Sequence, residues 1–288
     1  MLLSPSGRVV TLNLRYLAPR LLRHFMPESV ARFLLKRRWI IRPGLESSDP
    51  VAAAARYSET LSGYGETLHG KRVLVFGYGG RFAVGVELLK LGASHVVLCD
   101  HVESLDKERN LELLPAYADY LMMEGDTVRP RHEFITLLHG DITDKTIQNQ
   151  IAQVDCVLST SVYEHLDGVE AITRALASLT KPNGIHIHFV DLRDHFFKYP
   201  FEMLCFSEST WRNWLNPSSN HNRYRLWDYR RAFEDSFEKV GIEVLAREEE
   251  VFRKLQPRIR PEFISGKIED DSVTLIRVIA SRPKISSH

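Results

Sequence analysis

The chain has 288 residues, 44% of them hydrophobic, and a formal net charge of +1, which fits one α/β domain with additions better than two equal domains. It has no apolar run long enough to span a membrane, no signal-peptide core at its N-terminus and no C-x-x-C pair among its three cysteines. These features exclude a membrane-spanning protein or a disulfide-stabilised secreted one, and we expect a soluble, cytoplasmic protein.

The first 42 residues are strongly basic, with nine arginines and lysines against the single acid Glu28. Apolar residues at roughly helical spacing, interrupted at Pro27, predict two short amphipathic helices. Three interpretations stay open: a helical extension packed on the sheet with its cations in water, a lid that attracts an acidic substrate, and peripheral contact with an anionic membrane. Nucleic-acid binding is not expected, because no recognition motif accompanies the charge.

A segment rich in glycine, serine and proline follows, from Pro43 to Ala55, and predicts a mobile joint. Tyr57 to Leu68 then carries an apolar stripe at helical spacing. Such stripes usually pack into a core, so this segment predicts a helix that leads into the first strand.

The next segment predicts a buried strand and a sharp turn. Val73 to Phe76 is an unbroken apolar run, typical of a central parallel strand covered on both faces. Gly77 and Gly79 allow the chain to turn sharply and to bring its backbone close to a ligand.

A helix and a second strand complete the unit. Apolar residues from Phe82 to Leu91 recur at helical spacing, and Gly92 is placed to end this helix. Val96 to Cys99 predicts the second strand, and Asp100 at its carboxyl end can accept hydrogen bonds from both hydroxyls of a ribose. The whole unit, residues 73 to 100, therefore predicts a site for an adenosine-containing cofactor.

The rest of the chain alternates strands and helices. The predicted elements are a strand over Val154 to Val162, a helix from about Gly168 to Leu179, a turn over Lys181 to Gly184, a strand over Ile185 to Val190, a helix over Tyr229 to Val240, and two last strands over Gly241 to Ala246 and Ser272 to Ser281.

Polar residues cluster after the strands that end at Val162 and Val190, and the carboxyl ends of strands are where open α/β sheets bind their ligands. Because imidazole titrates near neutral pH, His165 and His195 are the candidates for a general base, with a packing or hydrogen-bonding role as the alternative for each. Asp191 joins them as a candidate catalytic residue. His186, His188, Asp191 and His195 are also metal-ligand types, but the last two lie beyond the strand that carries the first two, so we expect no metal site.

Residues 196 to 229 form an aromatic and polar insertion after the strand that ends at Val190. Its stacking surfaces, amides and guanidinium groups suit a cyclic or carboxylated small molecule, and a packed cap is the alternative interpretation. The expected substrate contacts are Tyr163, Arg193, Asn220, Asn222 and Arg223.

From about residue 57 to 282, the order of these pieces resembles the class I S-adenosylmethionine-dependent methyltransferases. Residues 73 to 81 match the family's first motif, Asp100 its ribose-binding acid, His139 to Ile142 the segment whose acid usually meets the adenine amino group, and Tyr163 to Leu166 its E-H-L sequence. Two positions depart from the pattern, since Val75 replaces the usual acid and Arg81 a frequent third glycine.

The resemblance implies a Rossmann-like, seven-stranded, mostly parallel sheet in the order 3-2-1-4-5-7-6, flanked by helices and preceded by the helical extension of residues 1 to 56. Residues 283 to 288 would be a tail. It also implies S-adenosylmethionine as cofactor and methyl transfer to an oxygen, nitrogen or carbon of a small metabolite. The residues expected at the cofactor are Tyr57, Phe76, Gly77, Tyr78, Gly79, Asp100, His101, Asp141, Ile142, Ser159 and Thr160.

Two other functions stay open. An NAD(P)-dependent oxidoreductase shares the strand, turn and acid, but Phe82 stands where a dinucleotide fingerprint needs glycine, and no tyrosine is followed four residues later by lysine. A catalytically silent methyltransferase fold that acts as a binding protein is the third possibility, favoured by Val75 and the basic N-terminus.

Overall fold

The computed structural model describes residues 13–27, 30, 48–102, 105–195, 198–216 and 221–284. In chain order its helices and strands are α1 (Leu14–His24), α2 (Pro50–Gly63), β1 (Arg72–Phe76), α3 (Ala83–Lys90), β2 (His95–Asp100), α4 (Lys107–Tyr117), β3 (Leu121–Glu124), β4 (Thr127–Pro130), β5 (Ile135–His139), α5 (Lys145–Gln148), β6 (Val154–Thr160), α6 (Val169–Ser178), β7 (Thr180–Asp191), α7 (Glu208–Thr210), α8 (Leu226–Glu234), β8 (Phe237–Arg247), α9 (Glu249–Leu255), α10 (Ile268–Asp271) and β9 (Val273–Pro283).

Seven strands form one sheet in the order β5-β2-β1-β6-β7-β9-β8. Strand β9 is antiparallel to both of its neighbours, and the pairs formed by β5, β2, β1, β6 and β7 are parallel. Strands β3 and β4 make a separate antiparallel ribbon that the sequence did not predict. When only the strands of the main sheet are counted along the chain, their order is 3-2-1-4-5-7-6, so the predicted fold class is confirmed.

The central strands are buried on both faces, as their unbroken apolar runs predict. Alternate residues of β1 belong to two different cores: Val73 and Val75 pack on one face of the sheet and Leu74 and Phe76 on the other. Helices α2, α3 and α4 supply side chains to the first core, and α6 and α8 to the second. The result is a three-layer arrangement of helices on both sides of the sheet.

Several predicted boundaries are wrong, and the turn predicted over Lys181 to Gly184 is part of β7. The helix predicted to reach Val240 ends at Glu234, because Phe237 to Val240 pairs with β9 as an edge strand and the sheet hydrogen bonds replace helical ones. The predicted joint up to Ala55 is helical from Pro50, since Asp49 caps α2 by accepting a hydrogen bond from the amide of Ala52. Residues 43–47 lie outside the described part of the chain.

Helix α1 packs against the insertion at residues 196 to 229, which we call the cap. The Tyr16 hydroxyl donates a hydrogen bond to Asp194, and the Arg20 guanidinium forms an ion pair with the same carboxylate. Arg20 also lies 4.8 Å from the ring centre of Trp211 in the cap. Because Asp194 is fully buried, the interpretation that leaves the cations in water is wrong for Arg20.

Most of the second predicted basic helix lies outside the described residues. Among the helices that the structure describes, none has the length and apolar character needed to cross a membrane.

A chain of hydrogen bonds inside the protein links β6, β7 and α6. The Thr180 hydroxyl donates to the Leu176 carbonyl at 2.8 Å, so it accepts from Nε2 of His186 at 2.7 Å. Nδ1 of His186 then accepts from Nε2 of His188 at 3.2 Å, and Nδ1 of His188 accepts from the Ser159 hydroxyl at 2.7 Å. Burial lowers the pKa of His186 to about 3 and holds that of His188 well below its ordinary value, so both rings are neutral.

Replacing Arg20 with methionine should lower the free energy of unfolding by about 3–5 kcal/mol, because the buried Asp194 charge loses its cation. Urea unfolding of the full chain measures this change. The matched control is Arg15→Met, an exposed residue of the same helix, which should change stability by less than about 0.5 kcal/mol. Equal effects of the two substitutions would show that the ion pair does not hold α1.

The contribution of His186 and His188 to stability should fall as the pH drops below about 6.5, because these histidines take up protons in the unfolded chain there and not in the folded protein. Each ring contributes a slope of up to about 1.4 kcal/mol per pH unit. Urea unfolding between pH 7.5 and 5 should show a smaller slope in His186→Gln. His132→Gln, at a side chain 98% exposed, should keep the wild-type slope. An unchanged slope in His186→Gln would contradict a neutral buried ring.

Candidate functional site

The site lies at the carboxyl ends of the parallel strands. The strand order changes direction between β1 and β6, and open α/β sheets bind their ligands at such a switch point. The predicted glycine turn follows β1 directly at this place. A broad recess of about 820 Å³ lies elsewhere, bordered by Tyr64, Asn183 and Lys239 at the opposite ends of the strands, so it is separate from the glycine turn.

The turn after β1 requires glycine for two reasons. Gly77, Gly79 and Gly80 have φ angles of +74°, +67° and +73°, in the left-handed region that other residues seldom adopt. In addition, a Cβ atom at position 77 would lie 2.4 Å from a methyl group of Val162. The backbone of the turn therefore passes close to Val162, just after the end of β6.

Asp100 connects this turn to the end of β2. One carboxylate oxygen accepts a hydrogen bond from the amide of Gly79 at 3.0 Å, and the other accepts from the amide of Val102 at 2.9 Å. Asp100 is only 5% exposed. Each carboxylate oxygen can accept more than one hydrogen bond, so this geometry leaves acceptor capacity for the hydroxyls of a ribose.

Asn110 in α4 is a site residue that sequence reasoning missed. Its side-chain oxygen accepts from the amide of Phe82 at 3.0 Å, and its nitrogen donates to the carbonyl of Gly80 at 2.8 Å. No sequence pattern marks this role, which shows only in the folded chain, where Asn110 is 1% exposed. Because the Phe82 amide at the start of α3 already has an internal acceptor, it is not available to a pyrophosphate, which binds such helix amides in dinucleotide folds.

The other expected cofactor residues around β2 and β5 differ in exposure. Asp141 and His101 are exposed, Ile142 is buried in the core, and Phe76 and Tyr78 are nearly buried at the turn. Asp141 accepts hydrogen bonds from the amide and the hydroxyl of Thr143, and these hold the pKa of its carboxyl below the usual range.

Helix α2 covers the end of β6 with an aromatic residue and a cation. The hydroxyls of Tyr57 and Thr160 are 2.7 Å apart, and Arg56 donates to the same threonine oxygen at 2.9 Å. The Arg56 guanidinium lies 3.8 Å from the ring centre of Phe189 on β7. Its Nε has no hydrogen-bond partner among the described residues. The sequence predicted Tyr57 and Thr160 here but gave no separate signal for Arg56.

Several expected site residues have structural partners. The Ser159 hydroxyl is held by His188. The Tyr163 ring is fully buried, 4.6 Å from the His188 ring and 5.2 Å from that of Phe233 between centres. The side chain of Tyr163 is therefore part of the core and does not border an open site.

The cap residues are also held by internal contacts. Arg223 donates to the carbonyls of Met203 and Phe206, and Asn222 donates to those of Tyr163 and Leu166. These bonds support the alternative interpretation of residues 196 to 229 as a packed cap. Asn220 lies outside the described residues.

Three histidine rings meet beside the site. The centre of the His195 ring is 4.7 Å from that of His165 and 4.8 Å from that of His221, and the remaining pair is 5.6 Å apart. Burial lowers the pKa of His195 to about 3, and the two neighbouring rings add to the lowering. The sequence predicted His165 and His195 as candidates but missed His221, a cap residue that the fold places beside them.

Glu164 and Asp191 place two carboxylates next to these rings. Glu164 is fully buried, and burial, assisted by the charge of Asp191, raises its pKa to about 8. Asp191 instead accepts two hydrogen bonds from the Arg193 guanidinium, at 2.9 Å and 2.7 Å. Asp191 therefore holds the Arg193 side chain in place.

No family model and no curated protein matches the chain. Solved structures that resemble it include an S-adenosylmethionine-dependent methyltransferase from Mesorhizobium loti, with a TM-score of 0.44 and 15% identity over 81% of this chain and all of that one. Another is the geranyl diphosphate C-methyltransferase of Streptomyces coelicolor A3(2), with a TM-score of 0.48 and 11% identity over 79% of this chain and 76% of that one.

The topology of this chain identifies its fold more specifically than these structural matches do. A mostly parallel sheet in the order 3-2-1-4-5-7-6, with its seventh strand antiparallel and a glycine turn at the switch point, is the architecture that the sequence resemblance implied. The chain has the fold of the class I S-adenosylmethionine-dependent methyltransferases.

Proposed function

We propose that the protein transfers a methyl group from S-adenosylmethionine to an oxygen, nitrogen or carbon atom of a small metabolite. One observation supports the proposal. The amide of Gly79 in the glycine turn donates a hydrogen bond to the buried Asp100, and the amide of Phe82, which a pyrophosphate would need, already donates to Asn110. This arrangement suits an adenosyl ligand without phosphates.

The cofactor would lie across the ends of β5, β2, β1 and β6. In this proposal Asp100 accepts hydrogen bonds from the ribose, Asp141 and Ile142 border the adenine, and the turn from Gly77 to Gly79 contacts the methionine end. Arg56, hydrogen-bonded to Thr160, supplies a cation for the carboxylate of the methionine. Val75 leaves the first strand without the family's usual acid.

The reaction needs little covalent chemistry from the protein. An acceptor lone pair attacks the sulfonium methyl group, the carbon–sulfur bond breaks towards sulfur, and S-adenosylhomocysteine leaves as a neutral thioether. Aligning the two reactants supplies most of the acceleration. In the metal-free protein, where the acceptor atom carries a proton, His195 or His165 removes it.

Calorimetric titration of the full chain tests the cofactor. S-adenosylmethionine and S-adenosylhomocysteine should bind with a stoichiometry of one, and NADH should give no heat above dilution. Binding of NADH alone would replace the proposal with an oxidoreductase, and binding of none of the three would favour a catalytically silent fold.

Replacing Asp100 with alanine should weaken S-adenosylhomocysteine binding by roughly 1–3 kcal/mol, about a 5- to 150-fold rise in Kd, because two ribose hydroxyls lose their acceptor. Asp119→Ala, at an exposed aspartate, is the matched control and should leave the Kd unchanged. Circular dichroism checks that the Asp100→Ala variant is folded. A Kd equal to that of the wild type would assign the ribose to another acid.

A further inference from the structure

A carboxylate and two imidazoles converge where β6 and β7 end. Glu164, His165 and His195 each present one ligand atom, and these atoms all lie within 4.8 Å of one another. In a tetrahedral zinc site with bonds of about 2.0–2.1 Å, ligand atoms are roughly 3.4 Å apart, so modest side-chain rotations would bring these three around one ion. Of the ligand types that the sequence analysis weighed without expecting a metal site, His186 and His188 are hydrogen-bonded to each other in the core.

Glu164 is an unusual residue to bury. It is fully buried, and neither carboxylate oxygen accepts a hydrogen bond of normal geometry from any described residue. The amides of Glu164 and Asp191 and the Ser161 hydroxyl lie close enough to favour its charged form, but burial outweighs them. A buried carboxylate without a partner is costly, and a bound cation is one of the few ways to satisfy it.

The surroundings favour a cation at this point. The Arg193 guanidinium nearby is held in an ion pair by Asp191, so its charge is largely neutralised. Both His165 and His195 are partly exposed, which gives an ion and its remaining ligands a route from solvent. His221 is 4% exposed and meets the His195 ring at 84°, so it supports that ring from the buried side.

We propose that Glu164, His165 and His195 bind one divalent transition-metal ion, of which zinc is the type. Two imidazoles and one carboxylate, with a position left open, are the ligand set of many catalytic zinc sites. The open position would accept a hydroxyl, carboxylate or amine of a small molecule. That small molecule would be the methyl acceptor. This assignment rests on the proposed function, whereas the metal site itself does not.

Metal binding can be measured without any cofactor. The full chain, stripped with a chelator, is titrated with Co²⁺ at pH 7.5, and the visible absorption of the bound ion gives its stoichiometry and Kd. One Co²⁺ per chain is expected, displaced by Zn²⁺. Glu164→Gln and His195→Ala should each raise the Kd at least tenfold, because each removes one of three ligands.

His132→Ala is the control, because this exposed histidine is typical of residues that bind cobalt adventitiously, and the Kd should stay that of the wild type. Should Glu164→Gln fail to fold by circular dichroism, His165→Ala, at a partly exposed ring, takes its place with the same expected loss. A wild-type chain that binds no Co²⁺, or ligand variants that bind it as tightly as wild type, would overturn the proposal. S-adenosylhomocysteine binding would stay untouched by either result, so the two proposals fail separately.

Discussion

The Asp100 carboxylate connects two strand ends that lie far apart in the sequence. Its oxygens accept hydrogen bonds from the amides of Gly79 and Val102, so the turn after β1 and the chain after β2 share one buried anchor. Asn110 adds a second connection, from α4 to the same turn. Because these bonds use backbone groups of the turn, they do not require a particular side chain at position 81. This explains how Arg81 can stand where the methyltransferase pattern often has glycine.

The fold places histidines in two contrasting environments within a short distance. His186 and His188 form a fully bonded chain in which every proton has a defined acceptor, and their role is to connect β6, β7 and α6. The rings of His165, His195 and His221 meet instead at the strand ends, beside a carboxylate without normal partners among the described residues. A polar network that is satisfied stabilises a core, whereas an incompletely satisfied one points to a ligand.

Local pattern predicted the parts of the fold that depend on local physics. The strand, turn, helix and acid of residues 73 to 100 follow from burial, glycine conformation and helical spacing, and all lie where expected. The helix predicted to end at Val240 failed because edge-strand pairing with β9 decided its boundary. Asn110, Arg56 and His221 were missed for a related reason: each acts through a tertiary contact with a residue distant in sequence, and no periodicity records such contacts.

Helix α1 is attached through Asp194, the residue directly before His195. Tyr16 and Arg20 satisfy that buried carboxylate from a segment more than 170 residues away in sequence. A shortened protein that begins after α1 would leave the Asp194 charge exposed or unpaired, and the backbone that positions the His195 ring would have to readjust. Helix α1 is therefore coupled to the backbone next to the His195 ring, and a shortened protein without this helix would differ from the full chain at that point.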